Sequence, residues 1–160
     1  MTIEDDIGFL ERVPTLALLG HEALRILAIG AESQYLHDGT VLFSQGDSAD
    51  AGYVVQEGSL ALSPARGAGD SDALTVGPGT LVGELALLIE TKRPVTATAR
   101  EPSTVIRIPR NLFLKMLEGY PDAARRLQEN IQSRASRAVR EMYQVRSFLG
   151  DADAGPDTAA

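Results

Sequence analysis

The chain has 160 residues, 44% apolar and 23% charged, with no cysteine, which fits one globular domain and excludes disulfides, iron–sulfur clusters and thiol catalysis. The formal net charge of −7 argues against a general polyanion binder, since affinity for nucleic acid depends mostly on neutralising phosphates. The sequence has neither a signal-peptide pattern nor an apolar run near the ~20 residues of a membrane helix, so we expect a cytoplasmic protein that binds neither DNA nor membrane directly.

A helical segment is predicted for residues 1–31. Within it, residues 4–12 show helical apolar spacing, the pattern breaks at Pro14 and Gly20, and helical spacing returns over 21–31. We therefore expect two short helices, with a break between them, ahead of the first strand.

A β-rich region is predicted for residues 32–109. Short runs with β-branched and aromatic residues, such as VLFS and AGYVVQ, alternate there with Gly, Asp and Pro. Many short strands at this spacing predict a sandwich or a small barrel. The turn positions are Asp38-Gly39, Gly46-Asp47, Glu57-Gly58 and a polar hairpin loop over 64–72.

Helical spacing returns over 110–148, with a break at 119–121 before a long helix from about 122 to 148. The seam of this helix favours a homodimer over packing on the chain's own barrel, because it is longer than a small barrel can cover. Its excess of arginine is interpreted as a solvated face. The tail, 149–160, is small and acidic and is predicted to be disordered. The seam residues recur at steps of four and three: Ile131, Ala135, Ala138, Met142, Val145 and Leu149.

The segment GPGTLVGELALLIETKRPVTATA, residues 77–99, has the residue types of an anion site. Gly83 lets the backbone approach another group closely, and ELALL has the propensity for one helical turn, whose N-terminus attracts anions. Arg93 is close enough in sequence to fold back on that turn, where its guanidinium suits a phosphate and Glu84 suits a neighbouring hydroxyl. A glutamate that opens a helix and an arginine in a surface loop, without any ligand, explain the same residues.

Three stretches resemble the cyclic nucleotide-binding domain, the family of the catabolite activator proteins and the protein kinase A regulatory subunits. They are VLFSQGDSADAGYVVQEGSLALS, VGPGTLVGELALLIETKRPVTATA and VIRIPRNLFLKMLEGYPDAARRL, and the resemblance covers about residues 7 to 147. It implies a mainly β fold, a double-stranded β-helix or jelly-roll-like β-roll of eight strands. N-terminal helices precede this roll, and C-terminal helices cover the ligand and often dimerise. It also implies a single domain over 1–148.

By this resemblance, the block from Gly83 to Arg93 is a phosphate-binding cassette. Glu84 is then expected to bind the ribose 2′-hydroxyl of cAMP, Arg93 the cyclic phosphate, and the backbone N–H of Ala86 a phosphate oxygen. The binding residues that the resemblance implies are Gly83, Glu84, Leu85, Ala86, Arg93, Pro94 and Val95.

The sequence departs from the family's pattern directly after the arginine. The family usually has Ala, Ser or Thr there, whose backbone N–H binds the phosphate and whose hydroxyl, where present, favours cGMP, whereas Pro94 has neither group. Losing one hydrogen bond to a charged group costs about 1.5–3 kcal/mol, so we expect a weakened site for cAMP. In the long helix, Ala138 and Val139 stand where a hydroxyl pair often reads adenine. The sequence after that helix is also too short for the helix-turn-helix domain of the transcription factors.

The primary hypothesis is a stand-alone regulatory domain that senses cAMP and signals through its C-terminal helix to an unknown protein effector. The alternative is a cyclic-nucleotide-like domain that no longer binds nucleotide and acts as a protein-interaction or dimerisation module, which Pro94 supports. Neither catalysis nor a metal site is expected, because the two histidines, His21 and His37, fall on different predicted elements.

Overall fold

The computed structural model of the protein describes residues 2–64 and 73–153, so most of the predicted loop over 64–72 falls outside it. The chain divides into two compact units, Met1–Ala124 and Arg125–Ala160. The first unit contains the strands and the candidate site, and it is described first.

Two α-helices open the chain: α1, Ile3–Leu10, and α2, His21–Gly30. Thr2 and Asp5 cap α1, because each side chain accepts a hydrogen bond from the other residue's backbone N–H at 3.2 Å. Hydrogen bonding of the Asp5 carboxylate to Thr2, above all to its backbone N–H, lowers the pKa of Asp5. The two helices predicted from apolar spacing are therefore confirmed.

The break predicted between these helices holds a 3-10 helix, Leu16–Leu19, which the sequence pattern did not predict. Its end residues, Leu16 and Leu19, are both buried. Winding of three residues per turn brings these two leucines to the same face, where they pack inward. Pro14 and Gly20 thus interrupt the α-helical pattern, but the residues between them still form a short 3-10 helix.

The β region consists of short antiparallel strands in two four-stranded sheets and one two-stranded pair. Their order is β1-β10-β4-β7 in one sheet, β2-β9-β5-β6 in the second, and β3-β8 in the pair. The mainly β fold with flanking helices is confirmed. The strands are β1 Glu32–Leu36, β2 Val41–Phe43, β3 Ser48–Ala49, β4 Ala51–Glu57, β5 Leu60–Ser63, β6 Leu74–Val76, β7 Leu81–Val82, β8 Thr91–Lys92, β9 Thr96–Ala99 and β10 Ser103–Pro109.

The described residues contain ten strands where the family resemblance implied eight. The strands β3 and β8 pair only with each other, in two connections that the sequence pattern presented as a turn and a bend. Pairing of β5 with β6 confirms the strands of the predicted hairpin around 64–72, whereas its loop residues 65–72 lie outside the described part of the chain. Local pattern does not reveal a two-residue pair of this kind, because each strand is too short to show alternation.

An apolar cluster lies in the interior of the roll, because alternate residues of the strands point inward. The strand β4 is buried along 51–55, so both of its faces are covered. The cluster consists of Leu36, Phe43, Tyr53, Val55, Leu60, Val82, Ala97, Ala99 and Val105.

Two helices follow the last strand: α3, Arg110–Gly119, and α4, Pro121–Asp153. The helix α4 extends five residues beyond the predicted end at 148, and residues 154–160 lie outside the described part. The disorder predicted for 149–160 stays a prediction. Gly150 does not end α4, because one glycine inside a helix costs only about 1 kcal/mol. The next proline, which would stop the helix, is Pro156. Among the helices within 2–64 and 73–153, none combines the length and apolar character of a membrane span. The single domain over 1–148 stays a prediction.

Candidate functional site

The helical turn predicted after Gly83 is present as a 3-10 helix, Glu84–Leu87, which we name the cassette helix. Gly83 precedes it in the left-handed region, with φ 80° and ψ 36°. Leu87 anchors the cassette helix against β4, where a Cβ added at Gly52 would lie 3.0 Å from Cγ of Leu87. The turn therefore lies directly on the strand that crosses the core.

Arg93 is one of the most deeply buried polar residues of the described chain, with only 4% of its surface exposed. Its Nη2 donates a hydrogen bond to the carbonyl oxygen of Ala51 at 2.8 Å. Its guanidinium lies over the rings of Phe43 and Tyr53, with centroid distances of 4.3 and 5.4 Å. Sequence reasoning missed both rings as supports of Arg93, because they lie 50 and 40 positions away.

The second terminal nitrogen of Arg93, Nη1, is buried and has no hydrogen-bond partner among the residues that the structure describes. It lies against Gly83, since a Cβ added at that glycine would come within 2.5 Å of Nη1. The prediction that Arg93 folds back on the start of the cassette helix is confirmed. Residue 83 needs glycine for two reasons: its φ is positive, and any side chain would displace the guanidinium.

Burial lowers the pKa of Arg93, because desolvation disfavours the charged form, although Tyr53 and Asp50 act in the opposite direction. Arginine nevertheless keeps its charge at neutral pH. A buried cation with an unpartnered donor is costly on its own, and an anion placed beside Nη1 would offset that cost. The residues present therefore fit a phosphate group.

The backbone of Arg93 is held by the Gly46-Asp47 turn. The N–H of Gly46 donates to the carbonyl of Arg93, and the N–H of Arg93 donates to the carbonyl of Asp47, both at 2.8 Å. The turn itself is closed by Asp47, whose Oδ2 accepts from the N–H of Ser44 at 2.9 Å. Sequence reasoning identified this turn but not its role in placing the arginine.

A family model of the cyclic nucleotide-binding domain matches residues 33–120, more than half of the chain. The chain belongs to this family. The match includes the cassette helix, Arg93 and the Gly46-Asp47 turn, which the structure brings together.

Both curated proteins and solved structures are similar to this chain. The cAMP-dependent protein kinase regulatory subunit of Yarrowia lipolytica is 32% identical over 69% of this chain. A solved cyclic nucleotide-binding-like protein from Brucella abortus is 40% identical with a TM-score of 0.61, over 71% of this chain and 98% of that one. The N-terminal domain of a transcriptional regulator from Streptomyces coelicolor is 28% identical with a TM-score of 0.74, over 84% and 94%. This chain spans 29% of the length of the yeast regulatory subunit.

The remaining predicted binding residues of this cyclic nucleotide-binding domain differ in exposure. Glu84 is half-buried and Leu85 is exposed, at the start of the cassette helix. Ala86 is buried, and its N–H donates to the carbonyl of Gly83 at 3.1 Å, so its bond to a phosphate oxygen stays a prediction.

Two predicted binding residues follow Arg93 directly. Pro94 is exposed, and Val95 is half-buried against the apolar core of the domain. The proximity of Gly83 and Arg93 is thus established, and the ligand contacts of the other predicted residues stay predictions.

Proposed function

We propose that this cyclic nucleotide-binding domain is a regulatory sensor that binds cAMP in preference to cGMP. The observation that carries the proposal is the buried Nη1 of Arg93, which lies beside Gly83 without a hydrogen-bond partner within the described residues. A planar guanidinium with a donor available is well suited to the oxygens of a cyclic phosphate. The name of the yeast relative, a cAMP-dependent kinase regulatory subunit, supports cAMP as the ligand.

In this proposal the cyclic phosphate and the ribose hydroxyl of the ligand bind two side chains of opposite charge. Arg93 binds the cyclic phosphate, and the carboxylate of Glu84 accepts a hydrogen bond from the ribose hydroxyl. Pro94 offers no hydroxyl to the base or the phosphate, which removes the family's usual means of favouring cGMP. Bound ligand then favours one arrangement of the C-terminal helices, and an unidentified protein effector reads that arrangement.

The proposed role is binding and not catalysis. His21 lies on α2 and pairs with Glu11, with Nδ1 3.0 Å from the carboxylate oxygen, whereas His37 is exposed beside the Asp38-Gly39 turn. The two histidines thus lie on separate elements. The cytoplasmic location stays a prediction from the sequence.

Isothermal titration of the purified protein with cAMP and cGMP, up to millimolar nucleotide, tests the proposal. We expect saturable binding of cAMP, weaker binding of cGMP, and an upward shift of Tm with cAMP because the ligand binds the folded state alone. A folded protein that shows neither heat nor a Tm shift would contradict the sensor. It would favour the alternative of an interaction module without nucleotide, for which Pro94 is the supporting observation.

We also propose that α4 mediates a homodimer. Of the predicted seam residues whose side chains the structure describes, Ile131 is half-buried, Ala135 is exposed and Met142 is 71% exposed. The side chains of Ala138, Val145 and Leu149 lie outside the described part. An exposed methionine in line with apolar positions one and two turns earlier is typical of a helix that pairs with another.

Met142→Glu is expected to convert the dimer into a monomer, because a carboxylate in an apolar seam loses its hydration without a partner. Analytical ultracentrifugation at several protein concentrations measures the change. Ser133→Glu adds the same charge on the opposite side of α4 and is expected to leave the dimer intact. A wild-type protein that sediments as a monomer would show that the seam does not pair two copies.

A further inference from the structure

Arg110, the first residue of α3, binds backbone carbonyls at two places in the first unit. Its Nη1 donates to the carbonyl of Ala49 at 2.9 Å and to that of Ile89 at 2.9 Å, with a longer contact of 3.3 Å to the carbonyl of Ala86. Ala49 ends β3, whereas Ala86 and Ile89 lie in and just after the cassette helix. One guanidinium nitrogen therefore joins α3, β3 and the cassette helix.

Arg93 and Arg110 hold the same short stretch of backbone, which we name the 49–51 segment. The side chain of Arg110 binds the carbonyl of Ala49, its backbone N–H binds the carbonyl of Asp50 at 2.8 Å, and Nη2 of Arg93 binds the carbonyl of Ala51 at 2.8 Å. Three consecutive carbonyls are thus bound by two arginines. A shift of either arginine along the segment changes the carbonyl positions that the other one requires.

We propose that Arg110 is a positioning residue, which holds the cassette helix and the 49–51 segment in register with Arg93 and so connects the nucleotide site to α3. The proposal rests on the proposed function for its ligand readout. The partners of Nη1 in Arg110 are carbonyls, and a carbonyl fixes the backbone itself, whereas an ion pair to a surface carboxylate fixes only a flexible side chain.

The nucleotide site at Arg93 is coupled to Arg110 because only the backbone of the 49–51 segment lies between the groups that the two arginines bind. An anion at Nη1 of Arg93 adds a second ligand to a guanidinium that already binds the carbonyl of Ala51, and the next two carbonyls of the segment belong to Arg110. Binding free energies are reciprocal, so a contact through which the nucleotide acts on α3 also lets α3 act on nucleotide affinity. Loss of the Arg110 contacts should therefore weaken nucleotide binding although Arg110 does not touch the phosphate in this proposal.

The test compares Arg110→Gln with Lys115→Gln, which removes one positive charge from an exposed position of the same helix. Titration with cAMP measures affinity, and amide hydrogen exchange without ligand measures local opening of the cassette helix. In Arg110→Gln we expect affinity to fall about tenfold, and exchange at Ala86, Leu88 and Ile89 to accelerate more than exchange in β10. Lys115→Gln is expected to match wild type in both measurements. Arg110→Lys keeps the charge and a single donor nitrogen, so we expect it to recover part of the affinity.

Each result decides the proposal. Affinity and cassette exchange close to wild type in folded Arg110→Gln would overturn it. So would an acceleration of equal size in the cassette and in β10, because that pattern reflects global destabilisation. If Arg110→Gln does not fold, the cAMP titration and the amide hydrogen exchange are made on Arg110→Lys instead. If the wild type does not bind cAMP, the proposed function fails separately, and selective acceleration in the cassette supports the positioning role whereas unchanged exchange refutes it.

Discussion

Arg93→Ala is expected to lower the affinity for cAMP by about 100-fold or more. The unpartnered Nη1 offers a phosphate a charge-assisted hydrogen bond, and alanine removes both this donor and the positive charge. Because Arg93 is only 4% exposed, its bond to a phosphate forms away from bulk water, where such a bond is strong. This is the largest effect that we expect from any single substitution in the domain.

Two measurements separate the loss of binding from a loss of folding. Titration up to millimolar cAMP gives the affinity, and thermal unfolding gives stability with and without the ligand. Without ligand, loss of the hydrogen bond to Ala51 and of the stacking on Phe43 lowers the free energy of unfolding by about 1–2 kcal/mol, which leaves the variant folded. At a ligand concentration of 100 times the wild-type Kd, the wild type gains about 2.7 kcal/mol, whereas a variant with 100-fold weaker affinity gains only about 0.4 kcal/mol.

Arg93→Lys is the matched variant for this prediction, because it keeps the positive charge and loses the planar fork. We expect an affinity between those of the wild type and Arg93→Ala. If folded Arg93→Ala binds cAMP as the wild type does, Arg93 is not the phosphate clamp and the proposed function loses the observation on which it stands.

Pro94→Ala is expected to tighten cAMP binding by about tenfold or more. Alanine restores a backbone N–H next to the buried arginine, at the position whose N–H binds the phosphate in the family's usual pattern. One hydrogen bond to a charged group is worth about 1.5–3 kcal/mol, which sets the size of the gain. Titration of both proteins with cAMP measures it directly.

Pro102→Ala is the control for the loss of a proline at an exposed position, in the connection between β9 and β10. Both substitutions raise the conformational entropy of the unfolded chain, so each is expected to lower the free energy of unfolding by about 0.4–1 kcal/mol. Only Pro94→Ala should change nucleotide affinity. Equal affinities for Pro94→Ala and the wild type would show that the missing N–H does not limit binding.

Several features of the fold and the site follow from local sequence. Apolar spacing of 3.6 residues predicted α1, α2 and α3 because each helix buries one face, and the glycine at position 83 predicted a close approach of the backbone. The ELAL stretch predicted a single helical turn, and the structure has one at Glu84–Leu87. Patterns of this kind depend on residues within a few positions of one another, so a single sequence is enough to read them.

The tertiary structure decided which groups surround Arg93. The rings of Phe43 and Tyr53 and the carbonyl of Ala51 are brought to Arg93 by strands that are distant from it in sequence. The pairing of β3 with β8 and the course of α4 to Asp153 were equally invisible to local pattern. The amino-acid sequence by itself therefore predicted that an arginine folds back on a glycine-led turn, and the structure places Arg93 against Gly83. Only folding determined that the arginine is buried with one donor facing that turn, because burial is a property of contacts across the whole roll.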